Sequence, residues 1–171
     1  LYATLEGTLP EGGGVYDLTS TYAAKTGEAL DGIANVWKHR NDADLPKGVA
    51  DLLDQLRKVN TGDRLDWYPG SPQIAAQMLR EGDHLRLFEL HPTEIKLLQR
   101  HFSSVKRGVS IQEADGFAGL KSCVPPPPRR GLIHMDPSYE NKDDYRHLIQ
   151  VLKESVPRFS AGVYAIWYPE V

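Results

Sequence analysis

The stretch HLRLFELHPTEIKLLQRHF, His84 to Phe102, decides the fold because two kinds of pattern follow each other in it. HLRLFEL is typical of a strand, and PTEIKLLQRHF is typical of a helix. The same succession continues with VSIQEAD, GFAGLKSC, GLIHMD, DDYRHLIQVLKESV and GVYAIWY, read as strand, brief helix, strand, helix and strand. Strands that alternate with helices across short loops predict a parallel sheet with right-handed crossovers and helices on its faces. The predicted fold class is therefore α/β.

Helices are predicted upstream of this region. SPQIAAQMLREG has Ser71 as a possible N-cap, Pro72 at the first helical position and Gly82 as a stop. VADLLDQLRKVN carries one apolar stripe, and TYAAKTGEALDGIANVWKH carries a weaker helical pattern. We therefore expect a helical pair from about Tyr22 to Trp67, with no strand between its helices.

Length, charge and composition narrow the class of protein. The chain has 171 residues, of which 40% are hydrophobic, and its formal net charge is -3. These values predict one globular domain without the global basic field that draws proteins onto nucleic acid. The chain opens on Leu1 rather than Met and stops just after a strand-like run, so we expect a fragment that lacks both ends.

Cysteine, histidine and hydropathy patterns predict location and metal content. The only cysteine, Cys123, rules out an intrachain disulfide and fits a reducing compartment, which favours the cytoplasm. Six scattered histidines give no metal-ligand spacing, so no metal is expected. No apolar run approaches the roughly 20 residues that span a bilayer, and no membrane partner is expected.

Acidic residues close three of the predicted strands. These are Glu89 in LRLFE, Asp115 in SIQEAD and Asp136 in LIHMD. Ligands of an open parallel sheet bind outside the carboxyl ends of its strands, where such carboxylates can accept from ribose hydroxyls or an exocyclic amine. Each acid taken alone is equally compatible with an N-cap or loop residue; together they indicate a polar ligand.

The glycine-rich stretch EGGGVYDL helps to choose that ligand. It is not the G-x-G-x-x-G turn that a dinucleotide pyrophosphate requires. S-adenosylmethionine contains adenosine but no phosphate, so it fits the acids better than a dinucleotide does. The sequence therefore favours S-adenosylmethionine as cofactor.

The tetrapeptide Asp136-Pro137-Ser138-Tyr139 places a carboxylate, a stiffened backbone and an aromatic ring beside one another. The carboxylate and a main-chain carbonyl can accept both N–H bonds of an adenine amine, while Tyr139 stacks on the base. An ordinary strand-to-loop turn, with Asp136 capping and Tyr139 packed, is the alternative.

DPSYE resembles the D-P-P-Y motif of amino-group methyltransferases. In order along the chain, YPGSP, FELHP, EADGF, RRGLIHMDPSYE and GVYAIWYP are similar to blocks of the ribosomal RNA large subunit methyltransferase J family. The resemblance implies transfer of a methyl group from S-adenosylmethionine to N6 of an adenine in 23S ribosomal RNA. It also implies a Rossmann-like methyltransferase fold, a single partial domain over residues 1–171 and a helical insertion over residues 22–67. A cytoplasmic monomer is expected.

The resemblance also assigns residues. It implies that Asp136, Pro137 and Tyr139 form the catalytic, target-adenine motif, and that Asp136 also borders the cofactor. The remaining cofactor positions that it implies are Gly12, Gly14, Glu89, Asp115 and Gly116.

One block departs from the family, since TLPEGGGVY stands where D-T-H-A-G-A-G-R-Y is expected, without the aspartate and the histidine. Two other functions stay open at this point. The first is a DNA adenine methyltransferase or a protein of external-DNA use, which D-P-x-Y does not exclude. The second is a non-catalytic RNA-binding remnant, which the altered block favours.

Overall fold

A computed structural model describes residues 2–5, 14–20, 32–105, 108–137, 139 and 141–168, with the backbone alone for 2–5. The chain divides into two compact units, Leu1–Thr8 with Leu79–Val171, and Leu9–Met78. We call the first the sheet unit and the second the helical unit. The single domain over residues 1–171 with an insertion over 22–67 stays a prediction.

Seven strands occur among the described residues. In chain order they are β1 Tyr2–Leu5, β2 Val15–Asp17, β3 Trp67–Pro69, β4 Leu85–Glu89, β5 Val109–Glu113, β6 Leu132–Asp136 and β7 Val163–Ile166.

The described helices follow the same chain order. They are α1 Ile33–Lys38, α2 Lys47–Val59, α3 Ser71–Met78, α4 Pro92–His101, α5 Gly116–Cys123 and α6 Asp143–Arg158, with a 3₁₀ turn over Phe102–Ser104.

The sheet unit contains a five-stranded sheet in the order β5-β4-β1-β6-β7. Every pair of neighbouring strands in it is parallel. The predicted strands β4, β5, β6 and β7 are confirmed, but the central strand β1 was not predicted. Counted in chain order within the sheet, the strands run 3-2-1-4-5, which is the order of a Rossmann-like fold. The α/β, Rossmann-like prediction is thus confirmed.

Helices α5 and α6 pack on one face of this sheet. Phe88, Ile133 and Met135 of the strands form one buried cluster with Leu120, Cys123, Leu148, Val151 and Phe159. Since side chains alternate along a strand, Leu85 and Leu87 point to the opposite face, and both are fully buried. Burial on both faces explains why LRLFE has apolar side chains on both sides of the strand, with Leu85 and Leu87 on one and Phe88 on the other.

The helical unit has its own core, in which Trp37 packs with Leu53 and Leu56. Asn60 joins the end of α2 to β3. Its side-chain amide donates to the carbonyls of Leu56 and Trp67 at 2.9 and 2.8 Å, and its Oδ1 accepts from the Asp66 and Trp67 amides. The buried amide therefore meets its hydrogen-bonding needs inside the unit.

The sequence predictions for the helical unit are confirmed in part. Helices α1 and α2 occur where they were predicted, and no strand interrupts described residues 32–66. The part of the first helical pattern at residues 21–31 lies outside the described residues. The antiparallel pair β2–β3, in which Tyr16 lies opposite Tyr68, was not predicted.

None of the helices in the described ranges is long and apolar enough to cross a membrane.

Gly119 lets α5 approach β4 closely, and this contact is testable. A Cβ at Gly119 would lie 2.4 Å from the nearest atom of the buried Phe88 ring, far inside normal contact. We expect Gly119→Ala to lower the free energy of unfolding by about 1–3 kcal/mol, because overpacking outweighs alanine's better helix propensity. Chemical denaturation measures the change.

Gly48→Ala in α2 is the matched control, because a Cβ there meets nothing within 4 Å. This variant should be as stable as the wild type or slightly more stable. Equal stability of the two variants would contradict the proposed packing.

Candidate active site

The strand register brings Glu89 and Asp136 to the same edge of the sheet. Thr4 of β1 lies opposite both Phe88 of β4 and Met135 of β6, so the next residues, Glu89 and Asp136, lie level with each other. Two strand spacings separate their backbones by about 10 Å. Since Phe88 and Met135 point into the core cluster, both carboxylates leave the other face.

Glu89 is buried, with 2% of its surface exposed. Its Oε1 accepts from the His91 amide at 2.7 Å, which fixes the carboxylate at the turn between β4 and α4. A carboxylate can accept about four hydrogen bonds, so it can serve this turn and a ligand hydroxyl together.

Asp115 lies two residues beyond β5 and is exposed. Its Oδ1 accepts from the Phe117 amide at 2.9 Å, and it is the N-cap of α5. The capping alternative weighed from the sequence is therefore present. Gly116 is the first residue of α5, so both residues lie at the carboxyl edge of the sheet.

Asp136 is the last residue of β6 and is half-buried. Burial raises the pKa of its carboxyl, and His134 lowers that pKa in part. His134 lies two residues earlier on the same face of β6, about 7 Å along the strand. Its Nδ1 is buried and makes no hydrogen bond within the described part of the chain.

Tyr139 is held in an unusual conformation. Its backbone φ is 55°, a left-handed value that is uncommon for an aromatic residue. Its hydroxyl donates to the Trp167 carbonyl at 2.8 Å, and its ring lies 4.4 Å from that of Tyr145. Pro137, which joins Tyr139 to the end of β6, is buried.

Of the two predicted glycine positions at residues 12 and 14, the structure describes only Gly14. Gly14 belongs to the helical unit, where its φ is 122° and its carbonyl accepts from the Gly70 amide at 2.8 Å. Gly12 lies outside the described residues. The cofactor roles of Gly12 and Gly14 stay predictions.

Tyr145 and His134 were not predicted from the sequence as neighbours of Tyr139 and Asp136, and Trp167 was not predicted as part of this edge. Trp167 is 53% exposed. The six-residue step from Tyr139 to Tyr145 gives no periodic signal because it crosses a turn. For His134, the alternation along β6 was a usable signal, since it puts His134 on the face of Asp136.

Arg129 and Arg130 precede β6, so the strand separates them from Asp136. Five strand residues span about 13 Å between the first and last Cα atoms. Nearness to Asp136 in sequence therefore does not place these arginines at its edge of the sheet.

No described cluster of His, Cys, Asp and Glu side chains is arranged to hold a metal ion.

A 3-2-1-4-5 parallel sheet with acids near the ends of several strands is the architecture of Rossmann-like α/β proteins. Ligands of such open sheets bind where the strand order reverses, here between β1 and β6. Asp136 lies at this switch point.

Comparison with known proteins names the family within this class. The model of the family described as "Ribosomal RNA large subunit methyltransferase D, RlmJ" matches residues 8–171. The chain belongs to this family, which confirms the resemblance found in the sequence.

Similar proteins agree with this assignment. "Ribosomal RNA large subunit methyltransferase J" of Escherichia coli (strain K12) is 44% identical over 94% of this chain and 56% of its own length. The protein of the same name from Haemophilus influenzae is 42% identical over 94% of this chain and 56% of its own length.

A crystal structure of a Legionella pneumophila protein from the family DUF519 matches with a TM-score of 0.83 at 37% identity. The match covers 98% of this chain and 59% of that one. The chain thus spans a little over half the length of the relatives that it matches.

The environment of Asp136 predicts how its carboxyl titrates. We expect its pKa to lie above the ordinary value of 3.8, and His134→Leu to raise it further by removing the group that lowers it. Carboxyl-carbon NMR over a pH series measures both values.

The same shift predicts a pH dependence of stability. Because the folded-state pKa is raised, Asp136 favours folding when it is protonated. That contribution is present below the unfolded pKa and is lost as pH rises through the folded pKa. Asp136→Asn should abolish it, and an unchanged pH profile of unfolding in that variant would count against the burial effect.

Proposed function

We propose that the protein transfers a methyl group from S-adenosylmethionine to N6 of an adenine in 23S ribosomal RNA. The observation that carries the proposal is Asp136 at the switch point of the sheet, followed by buried Pro137 and the fixed ring of Tyr139. Family membership supports the reaction class, since the relatives are named as ribosomal RNA large subunit methyltransferases.

The hydrogen-bond acceptors at the carboxyl edge of the sheet fit S-adenosylmethionine. Glu89 ends β4 and Asp115 follows the adjacent strand β5, and both offer carboxylates to the ribose hydroxyls and the adenine amine. Carboxylates suit these donors, whereas they would repel a pyrophosphate. When bound, the cofactor supplies an electrophilic methyl group.

The target-adenine motif would orient the amine. The Asp136 carboxylate and the Pro137 carbonyl accept its two N–H bonds, which leaves the nitrogen lone pair directed at the incoming methyl carbon. An adenine amine that gains a methyl group would become more acidic. Asp136 is placed to stabilise that developing charge, and its raised pKa makes it a better proton acceptor.

Tyr139 would hold the base in place. Its ring offers a stacking face for an adenine that has left its own stack. Such stacking contributes about 1–3 kcal/mol to the binding free energy. Burial raises the pKa of the Tyr139 hydroxyl, with contributions from Tyr145, Asp136 and Asp144, so the phenol stays neutral and can donate to Trp167. The ring is therefore oriented before RNA arrives.

The proposal extends to partners and location. Ribosomal RNA as substrate places the protein in the bacterial cytoplasm, in agreement with a sequence that has Cys123 as its single cysteine.

Charge removal at the cofactor acids should weaken binding without unfolding the chain. We expect Glu89→Gln and Asp115→Asn each to lower the affinity for S-adenosylmethionine about tenfold or more, through loss of charge-assisted hydrogen bonds. Asn retains the N-cap of α5. Isothermal titration calorimetry gives the affinities.

Glu81→Gln is the matched control, because Glu81 is exposed and precedes β4 rather than following it. Its affinity should equal that of the wild type. If all three variants lost affinity equally, or if neither Glu89→Gln nor Asp115→Asn lost affinity, these carboxylates would not belong to the cofactor site.

Asp136→Ala should reduce methyl transfer at least 100-fold while changing cofactor affinity much less, because its main contact is with the target amine. The measurement is incorporation of labelled methyl into unmodified 23S RNA, with Asp143→Asn as an exposed control on α6. Faster transfer to DNA than to RNA would reassign the substrate. RNA binding without cofactor binding would identify a non-catalytic remnant.

A further inference from the structure

An aromatic cluster adjoins the end of β6, and Tyr139, Tyr145 and Trp167 form it. The ring of Tyr139 lies 4.4 Å from that of Tyr145 with a 37° tilt, and 6.2 Å from that of Trp167 with a 45° tilt. Tyr145 is therefore the nearer aromatic neighbour of the Tyr139 ring, and Trp167 is the more distant one.

The backbone of Trp167 is fixed at this place. Its amide donates to the Met135 carbonyl at 2.9 Å, which extends the β6–β7 pairing by one step. Met135 lies opposite Ile166, so Trp167 is level with Asp136 on the neighbouring strand. Its carbonyl also accepts the Tyr139 hydroxyl, as described above.

The side chain of Trp167 is nevertheless 53% exposed. Met135 and Ile133 of β6, which point into the core cluster on the other face, are by contrast 2% and 0% exposed. A large aromatic surface on a fixed backbone, next to a strand-end carboxylate, is suited to stacking on another planar group.

We infer that Trp167 is a stacking platform for the base next to the target adenine, so that the substrate is an unpaired RNA segment. The inference rests on the proposed function. An adenine that reaches Asp136 has left its stack, and its neighbour loses one stacking partner at the same time. Trp167 replaces that partner one strand away from Asp136. Aromatic stacking is tolerant of base identity, so the platform selects for unpaired structure more than for sequence.

The experiment measures binding of labelled nine-nucleotide RNAs to the full-length protein by fluorescence anisotropy. One RNA has a central adenine between two guanosines, and two further RNAs replace one or the other guanosine with an abasic site. Trp167→Ala should weaken binding of the first RNA about 5- to 100-fold. On one of the two abasic RNAs, wild type and variant should bind equally, because the stacked base is already gone.

Two variants serve as controls. Trp167→Phe keeps an aromatic face and should recover most of the affinity. Val156→Ala removes an exposed apolar side chain near the far end of α6 and should bind like the wild type.

Equal weakening of all three RNAs by Trp167→Ala, or no weakening, would overturn the inference. The same holds if the wild-type protein binds none of them. Failure of the proposed function gives a different result: the base-dependent effect of Trp167 persists, but labelled methyl from S-adenosylmethionine does not reach 23S RNA.

Discussion

The parallel pairing of β1 with both β4 and β6 is the constraint on which the site depends. Through Thr4 it sets Phe88 level with Met135, and the following residues are the two acids Glu89 and Asp136. A slip of one residue in either pairing would turn one carboxylate to the other face of the sheet. Burial of Phe88 and Met135 in one core cluster opposes such a slip, so core packing fixes the chemistry of the edge.

The edge carries features that cost stability on their own. A buried Glu89, a half-buried Asp136 and a left-handed Tyr139 are each unfavourable without compensation. Local contacts compensate for these costs. The His91 amide donates to Glu89, and His134 lies beside Asp136. Tyr139 donates its hydroxyl to the Trp167 carbonyl and packs its ring near Tyr145. Such strain is retained where a ligand requires a prepared geometry, which agrees with the role proposed for this edge.

Local pattern was sufficient for β4 to β7 and for the acids near the ends of β4, β5 and β6, because each strand is a short apolar or alternating segment bounded by turns. It was insufficient for β1, since YATL is short and owes its central position to pairing with segments about 80 and 130 residues away. The pair β2–β3 was missed for the same reason. Exposure of Trp167 was also beyond local pattern, because GVYAIWY is equally apolar whether its last residues are covered or open.

The choice between cap and ligand, which looks exclusive in the sequence, is not exclusive in the structure. Asp115 uses Oδ1 to begin α5, and Glu89 uses Oε1 to hold the turn before α4. A carboxylate has two oxygens, so one oxygen can make the local contact while the group still presents its charge at the carboxyl edge of the sheet. The local contact also orients the carboxylate for a ligand. The two roles differ in what they require: a cap requires only an acceptor, which an amide also provides, whereas tight binding of hydroxyls and amines gains from negative charge. Charge at these positions, rather than hydrogen-bonding capacity, is therefore the property that a ligand role adds to the fold.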